Sequence, residues 1–306
     1  MGAARMSIGF RGSFPHMSDR QSEVANLRCP GSVVDTCRAC GGATAVVFET
    51  TILGRYSVNF LKCQVCESLQ SQSPFWIAES YTAAIAATDT GAMVRNLQCH
   101  AAVYAVAALC RVRGRFLDAG GGAGVLCRLL RDHGFDAHLA DKYSDPVFAR
   151  AFSIPIDECR AGDFALVSAV EVLEHFEDPA GEIDRLFALR PDVIVAMTQV
   201  YRGEGKDWWY LSAQTGQHVF FYSEKCLELL ARKHGFYYLC ADWIHVFSAK
   251  PLGLVRRVAL RLLLSNAGLG MVRLWLAARL RGRFANRDHV TACEQLAARQ
   301  SERPND

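Results

Sequence analysis

No run of about 18 uncharged apolar residues occurs in this 306-residue chain, so no membrane-spanning helix is expected. Residues 1–30 mix Arg, Ser, Gly, Pro and Asp without an apolar core. No secretory leader is therefore expected there; the segment reads as a polar lead-in, with Met6 or Met17 as alternative starts. Charge of one sign is also scarce. Thirty-four basic residues face 31 acidic ones, and a net charge of +3 is too small for nucleic acid to be the main partner. There is no internal repeat. Twelve cysteines run from Cys29 to Cys293, but only four fall at tight paired spacing, which does not look like a disulfide framework. A reducing cytoplasm is the expected compartment. The whole chain is 51% hydrophobic and 21% charged, which fits a globular protein with a sizeable core.

Five regions follow from the pattern. Residues 1–30 form the lead-in, and 31–75 hold two Cys-x-x-Cys pairs separated by short β-like runs at Ala45–Phe48 and Tyr56–Phe60. Residues 76–112 form a helical connector, Ala-rich and amphipathic from about Ala78 to Val112, interrupted at Thr88-Asp89-Thr90-Gly91. Across 113–250, apolar strands alternate with helices, the signature of a parallel sheet covered on both faces. Strands are expected at Arg115–Ala119, Ala137–Asp141, Phe164–Val170 and Val193–Thr198, with an antiparallel pair at Tyr237–Ala241 and Ile244–Ala249. Helices are expected at Gly124–His133, Pro179–Leu189 and Ser223–His234, the last capped by Ser223 and stopped by Gly235. Residues 251–306 read as a basic helical tail.

The central signal is Asp118-Ala119-Gly120-Gly121-Gly122-Ala123-Gly124, between a strand end and a helix start. Glycine lets the chain turn sharply there and lets a ligand approach the backbone. The dinucleotide pattern G-x-G-x-x-G would need glycine at position 125, which is Val125. Twenty-one residues after Gly120, Asp141 ends the next strand, where a carboxylate can accept from both hydroxyls of a ribose. The alternative is a glycine-rich turn with no ligand.

From Phe116 to Leu189 the chain resembles class I S-adenosylmethionine (SAM)-dependent methyltransferases. The resemblance rests on the loop, Gly134-Phe135-Asp136 leading to Asp141, Phe164-Ala165-Leu166-Val167, Glu171-Val172-Leu173-Glu174-His175 and Asp178-Pro179. It implies a Rossmann-like α/β sheet with helices on both faces. It also implies that Asp118, Gly120, Gly122 and Asp141 contact SAM and that Ala169–Glu171 line its methionine side. Lys142 and Tyr143 would then flank the adenine.

Cys37-Arg38-Ala39-Cys40 and Cys63-Gln64-Val65-Cys66 are separated by 22 residues. Each pair can present two thiolates, and Cys37, Cys40, Cys63 and Cys66 together complete a tetrahedral shell that favours structural Zn2+. Gly41-Gly42 suits the tight turn of such a knuckle. Redox dithiols and plain buried cysteines are the alternatives. Zinc ribbons also occur in nucleic-acid binders, but residues 37–75 hold only Arg38, Arg55 and Lys62 as basic groups. A four-cysteine ribbon ahead of a class I domain resembles bacterial deoxysugar C-methyltransferases and methyltransferases of saccharide and secondary-metabolite clusters. The likeness covers roughly residues 35–250. Ser73-Pro74-Phe75-Trp76, Arg95-Asn96 and Phe148-Ala149-Arg150 extend it toward an uncharacterised bacterial subgroup of that layout.

Methyl transfer from a sulfonium is an in-line displacement, so the protein must position the acceptor and remove a proton. His218 is the first candidate base. In sugar C-methyltransferases a Glu-His pair does acid/base work at the matching position, whereas here the pair is Gln217-His218, which moves the expectation from carbon to oxygen methylation. A helix cap is the plainer role for His218. Glu174 and His175 are the second catalytic candidates, with ordering of their loop as the alternative. Trp208-Trp209-Tyr210 can stack on a sugar face or belong to the core or a hinge. Tyr81 loosely matches a tyrosine region of the sugar enzymes.

Residues 251–285 hold seven arginines and no acid, with Leu260, Leu262, Leu263, Leu264, Leu274, Trp275 and Leu276 as apolar complement. Such helices can rest on an anionic membrane at its inner face, or pack on the domain with solvated arginines. The expected function is a SAM-dependent methyltransferase acting on a small-molecule or glycan acceptor. The alternatives are a zinc-ribbon regulatory protein with a non-catalytic SAM domain, or an RNA or protein methyltransferase. Ser168-Ala169-Val170-Glu171 stands where amino-methylating nucleic-acid enzymes carry N/D-P-P-Y/F.

Overall fold

Central strands that are apolar on both faces need cover on both, and this chain supplies it. The computed structural model describes residues 35–81, 90–280 and 282–301. The lead-in and Thr88-Asp89 lie outside the described residues.

The first sheet begins with β1 (Thr44–Ile52) and β2 (Tyr56–Cys63), an antiparallel hairpin with an irregularity between Val46 and Phe48. Leu53 and Gly54 both take positive φ in its turn, the handedness that matches the twist of the flanking strands. β3 (Leu69–Ser71) pairs with β2. A short α1 (Ile77–Ser80) follows and ends before Tyr81; α2 (Ala92–Cys110) begins after a turn at Thr90-Gly91, within the interruption that the sequence pattern suggested.

The second sheet holds β4 (Arg115–Ala119), β5 (Asp136–Ala140), β6 (Leu166–Val170) and β7 (Val193–Met197) in parallel, in the order β5-β4-β6-β7. α3 (Val125–Asp132) connects β4 to β5, and α4 (Pro179–Ala188) connects β6 to β7. β8 (Phe220–Phe221) and α5 (Glu224–Lys233) come next, then β9 (Tyr237–Ala241) and β10 (Ile244–Ser248). β10 pairs antiparallel with β9, as the sequence pattern suggested, and also with β7, giving the order β5-β4-β6-β7-β10-β9. Strand ends differ from the expected ones by a residue or two. Phe164 and Ala165 lead into β6, with Ala165 N–H donating to Arg115 O at 2.8 Å where the neighbouring strand begins.

Alternation along the strands builds two cores. Phe116, Leu139, Val195 and Val246 face α2, α3, α6 (Leu254–Leu263) and α7 (Asn266–Ala277). Leu117, Val167, Ile194 and Phe247 face α4 and α5. This is a Rossmann-like sheet with helices on both faces. α8 (Gly282–Ser301) is fastened to α3 by a buried ion pair, Asp288 with Arg131 at 2.6 Å and with Arg128 at 2.8 Å.

The two sheets are not independent. β8, from far along the chain, pairs with β3 to complete the first sheet in the order β1-β2-β3-β8. Phe221 and Val219 then join Phe60, Leu69 and Trp76 in a third core. Two-residue and three-residue strands give no periodic signal, so this pairing was not legible in the sequence.

Candidate functional site

The glycine loop leaves the C-terminal edge of β4, beside the ends of β5 and β6. Gly120, Gly122 and Gly124 all take positive φ (70°, 54° and 83°). A Cβ on Gly120 would lie 2.6 Å from Val172 Cγ2, and one on Gly124 would lie 2.9 Å from Ala149 Cβ. Glycine is therefore required there by both conformation and space. At Gly122 a Cβ would meet nothing within 4 Å, so the loop presents an open backbone surface. The Asp141 carboxylate closes the loop from the neighbouring strand. Its Oδ2 accepts from Gly122 N–H at 2.8 Å, and its Oδ1 accepts from Tyr143 and Ser144 N–H, each at 2.8 Å. Asp118 lies beneath, fully buried, accepting from Ser168 Oγ at 2.8 Å. Burial pushes its carboxyl up to about 7, which the Ser168 hydrogen bond partly opposes and the Asp141 charge reinforces. Ala169 is buried in β6, its Cα paired with Ala119. Glu171, just past β6, has φ of 50°, an unusual conformation for a non-glycine residue. Lys142 is exposed or nearly so at the loop edge, its ammonium 5.3 Å from the Tyr143 ring centroid.

On the other side of Glu171 lies a polar cluster. Glu174 is fully buried, and its Oε1 accepts from Tyr210 O–H at 2.7 Å. His218 Nδ1 is 2.7 Å from Tyr210 O, and His175 Nδ1 is 3.1 Å from Gln217 O. The two imidazoles meet edge to face, with centroids 4.8 Å apart. Burial lowers His218 to about 4, aided by His175, so its ring is neutral. Tyr81 bridges the halves of the site. Its hydroxyl is 3.1 Å from His175 Nδ1, and its ring stacks on Tyr143 at 5.9 Å, next to Asp141. A cavity of about 330 Å³ opens on the far side of Glu171 and Tyr210, lined also by Trp209, Gln98 and Gln199, while Glu174, His175 and His218 stand behind that wall.

The aromatic run divides its labour. Tyr210 is core and holds Glu174, while Trp209 is 71% exposed at the cavity. Gln217 Nε2 donates to Ser80 O at 2.8 Å, so its amide fastens the loop to α1 instead of facing an acceptor. The cap of α5 is Ser223, whose Oγ accepts from Cys226 N–H at 2.9 Å, and not His218.

The cysteine cluster forms as the spacing implied. The sulfurs of Cys37, Cys40, Cys63 and Cys66 lie within 4.8 Å of one another, with Cys37–Cys66 at 3.6 Å and Cys40–Cys63 at 3.5 Å. The edge of a tetrahedron with ~2.3 Å metal–sulfur bonds is about 3.8 Å, so the donor set fits a tetrahedral soft cation. Val65 and Cys66 N–H both point at Cys63 Sγ at 3.4 Å, as thiolate acceptors require. Two partners were not legible in the sequence. Cys226 of α5 hydrogen-bonds the Cys66 sulfur, and Ser223 Oγ donates to Cys66 O. Arg38 is no phosphate contact: it donates to Val219 O at 2.6 Å, Ser71 O at 3.2 Å and Glu177 O at 3.2 Å. It clamps the cysteine knuckle to the strand that follows His218.

Residues 94–241 match the model of a family described as a methyltransferase domain. That segment is a methyltransferase domain. Among solved structures, this methyltransferase is similar to a SAM-dependent methyltransferase, possible histamine N-methyltransferase, from Thermotoga maritima. That match has 13% identity and a TM-score of 0.37, covering 50% of this chain and 91% of that one. It is also similar to magnesium protoporphyrin IX methyltransferase from Synechocystis PCC 6803 with bound SAM, at 14% identity and TM-score 0.40, covering 57% and 92%. A third is mitomycin 7-O-methyltransferase, at 16% identity and TM-score 0.36, covering 49% and 52%. No curated protein matches the chain. The methyltransferase is an enzyme whose cavity is lined from α2, α7, the ends of β6 and β7 and the β9–β10 turn.

Proposed function

We propose that this enzyme methylates a hydroxyl of a saccharide or related hydroxylated metabolite, with SAM held over the Gly120–Gly124 loop. The open backbone at Gly122 and the Asp141 carboxylate beside it suit the ribose of SAM, and Asp118 supports the loop from below. Glu171 lines the side toward the cavity with Ala169 buried behind it, and Lys142 with Tyr143 flank the outer edge. Bound SAM supplies the methyl group: an O–C bond forms, the sulfonium C–S bond breaks, and its electron pair returns to sulfur.

One observation carries the acceptor side. His218 sits against the carbonyl of Tyr210, and a carbonyl only accepts, so Nδ1 holds the hydrogen and Nε2 the lone pair. The acceptor proton leaves at the cluster of Glu174, His175 and His218, which adjoins the cavity through Tyr210, the partner of both Glu174 and His218. Exposed Trp209 offers a ring for the apolar face of a sugar. Gln217 is tied to Ser80 and brings no negative charge, which favours oxygen over carbon as the atom methylated. The Cys37, Cys40, Cys63 and Cys66 site holds a structural Zn2+, since four protein ligands leave no open position for chemistry.

The test compares SAM affinity by calorimetry with transfer of labelled methyl to glycan or sugar-nucleotide acceptors. In His218→Ala, SAM affinity should hold while turnover falls by about 10²- to 10⁴-fold. Loss of SAM binding with normal turnover per bound SAM would overturn the assignment of His218 to the acceptor side.

A further inference from the structure

Among the described residues, a second group of metal-capable side chains exists besides the cysteines. One carboxylate oxygen of Glu174 and one ring nitrogen each of His175 and His218 lie within 4.8 Å of one another. Glu174 is fully buried, yet only Oε1 is satisfied, by Tyr210; Oε2 is buried and has no hydrogen-bond partner. A buried carboxylate oxygen left bare is costly and calls for a cation or donor at that point. Both imidazoles have Nδ1 against a backbone carbonyl, Tyr210 O for His218 and Gln217 O for His175. That contact fixes the tautomer with a lone pair on Nε2, which is how metal-binding histidines are oriented by their surroundings. The Tyr81 hydroxyl oxygen, 3.1 Å from the same Nδ1 of His175, is a second acceptor for that N–H and leaves Nε2 unprotonated.

We propose that Glu174, His175 and His218 hold a divalent transition-metal ion, to which the acceptor's hydroxyl binds. Two neutral nitrogens and one carboxylate leave open positions, unlike the closed shell of four cysteines, and they favour a transition metal over Mg2+. The inference rests on the methyltransferase reading above and names how the acceptor is held and ionised. The cation lowers the pKa of the hydroxyl, whose proton passes to solvent while its oxygen takes the methyl carbon. His218 then serves through its lone pair as a ligand and not as the final proton carrier.

The probe is Co2+ added to the zinc-loaded full-length chain, followed by absorption spectroscopy and calorimetry. One equivalent should bind with weak ligand-field bands and no thiolate charge-transfer band. Glu174→Gln, which keeps the Tyr210 contact, should weaken Co2+ by at least about tenfold, as should His175→Ala. Uptake confined to exchange at the cysteines overturns the proposal, as does equal Co2+ binding by the variants. SAM titration of the same samples separates the readings: SAM bound without Co2+ removes the metal alone, whereas absent SAM binding removes the cofactor assignment. The wild-type Co2+ stoichiometry decides the matter even where a variant fails to fold.

The C-terminal helices carry a separate surface. Leu254, Val255, Val258 and Leu262 of α6 are 76%, 83%, 48% and 65% exposed, at helical spacing on the side away from buried Leu260 and Leu264. Met271 and Leu274 of α7 are 63% and 75% exposed. Arg256, Arg257 and Arg261 are exposed beside them, and no acid occurs from 251 to 285. No single described helix is long and apolar enough to cross a membrane, and α6 and α7 bend by 78° at their junction. We also infer that this face rests on an anionic phospholipid surface, its apolar stripe in the interface and its arginines at the headgroups. The full chain should sediment with phosphatidylcholine vesicles containing phosphatidylglycerol and much less with phosphatidylcholine alone. Arg256→Glu with Arg257→Glu should weaken that binding by about tenfold or more. Equal sedimentation with both vesicles overturns the inference, and so does a concentration-dependent dimer that buries the face and excludes vesicles.

Discussion

The backbone N–H of Gly122 donates to Asp141 Oδ2 at 2.8 Å, joining the turn after one strand to the end of the next. The same carboxylate collects two more N–H groups, from Tyr143 and Ser144. Asp141 therefore shapes the loop, in addition to the ribose contact proposed for it. Asp141→Ala removes a charged acceptor, and SAM affinity measured by calorimetry should fall by about 10- to 100-fold. Unchanged affinity would show that the ribose is held elsewhere.

Asp118 gives a dependence on pH whose sign is fixed by its burial. Its folded pKa is about 7, above the unfolded value of about 3.9. Between those values the native state binds more protons than the unfolded chain, so this residue lowers stability as pH rises toward 7. Asp118→Asn keeps the oxygen that accepts from Ser168 and removes the charge. Its Tm should exceed that of wild type at pH 8, by a margin equivalent to up to roughly 4 kcal/mol, and the gap should close near pH 4. A constant gap at all pH values would place the effect in packing instead of ionisation.

What the sequence made legible was local. The glycine loop, Asp141 at the next strand end, the Ser223 cap and the four cysteines each depend on short spacing, and short spacing survives in one dimension. What it hid depends on distant pairing. Tyr210 finds Glu174 36 residues away, Arg38 finds Val219 O 181 residues away, and Cys226 meets Cys66 only because α5 packs under the first sheet. The Trp208-Trp209-Tyr210 run shows the limit well. Its composition is the same whether a ring faces solvent or core, and only the fold sends Trp209 outward and Tyr210 inward.

α8 offers a test of how the tail is attached. Asp288 is buried against Arg131, with both carboxylate oxygens engaged, at 2.6 and 2.9 Å. Burial alone would raise its pKa, but Arg131 and Arg128 outweigh that and hold it below the usual carboxylate range. Its stabilising share is thus present above the unfolded pKa and is lost as pH falls through the lower folded value. Asp288→Ala leaves buried Arg131 with only half-exposed Asp136, at 3.2 Å, as a carboxylate partner and should cost about 3 kcal/mol in denaturant unfolding. A loss below about 1 kcal/mol, the value of a surface pair, would mean that α8 is held by other contacts.

The cysteine site should reach the chemistry through β8. Leu69 and Gln70 pair with Phe221 and Phe220, the strand that begins two residues after His218, while Arg38 within the first knuckle grips Val219 O. Disordering the knuckle therefore frees the strand that seats His218, without touching Gly120, Gly122 or Asp141. Cys40→Ser removes one sulfur of the cluster and leaves Glu174 and His175 untouched. It should lower Tm and reduce methyl transfer by about tenfold or more, with SAM affinity little changed. Arg38→Ala should follow the same course with zinc still bound, since it removes donors to three backbone carbonyls from the same junction. If Cys40→Ser lost its zinc and kept full turnover, the two sheets would be coupled in structure only.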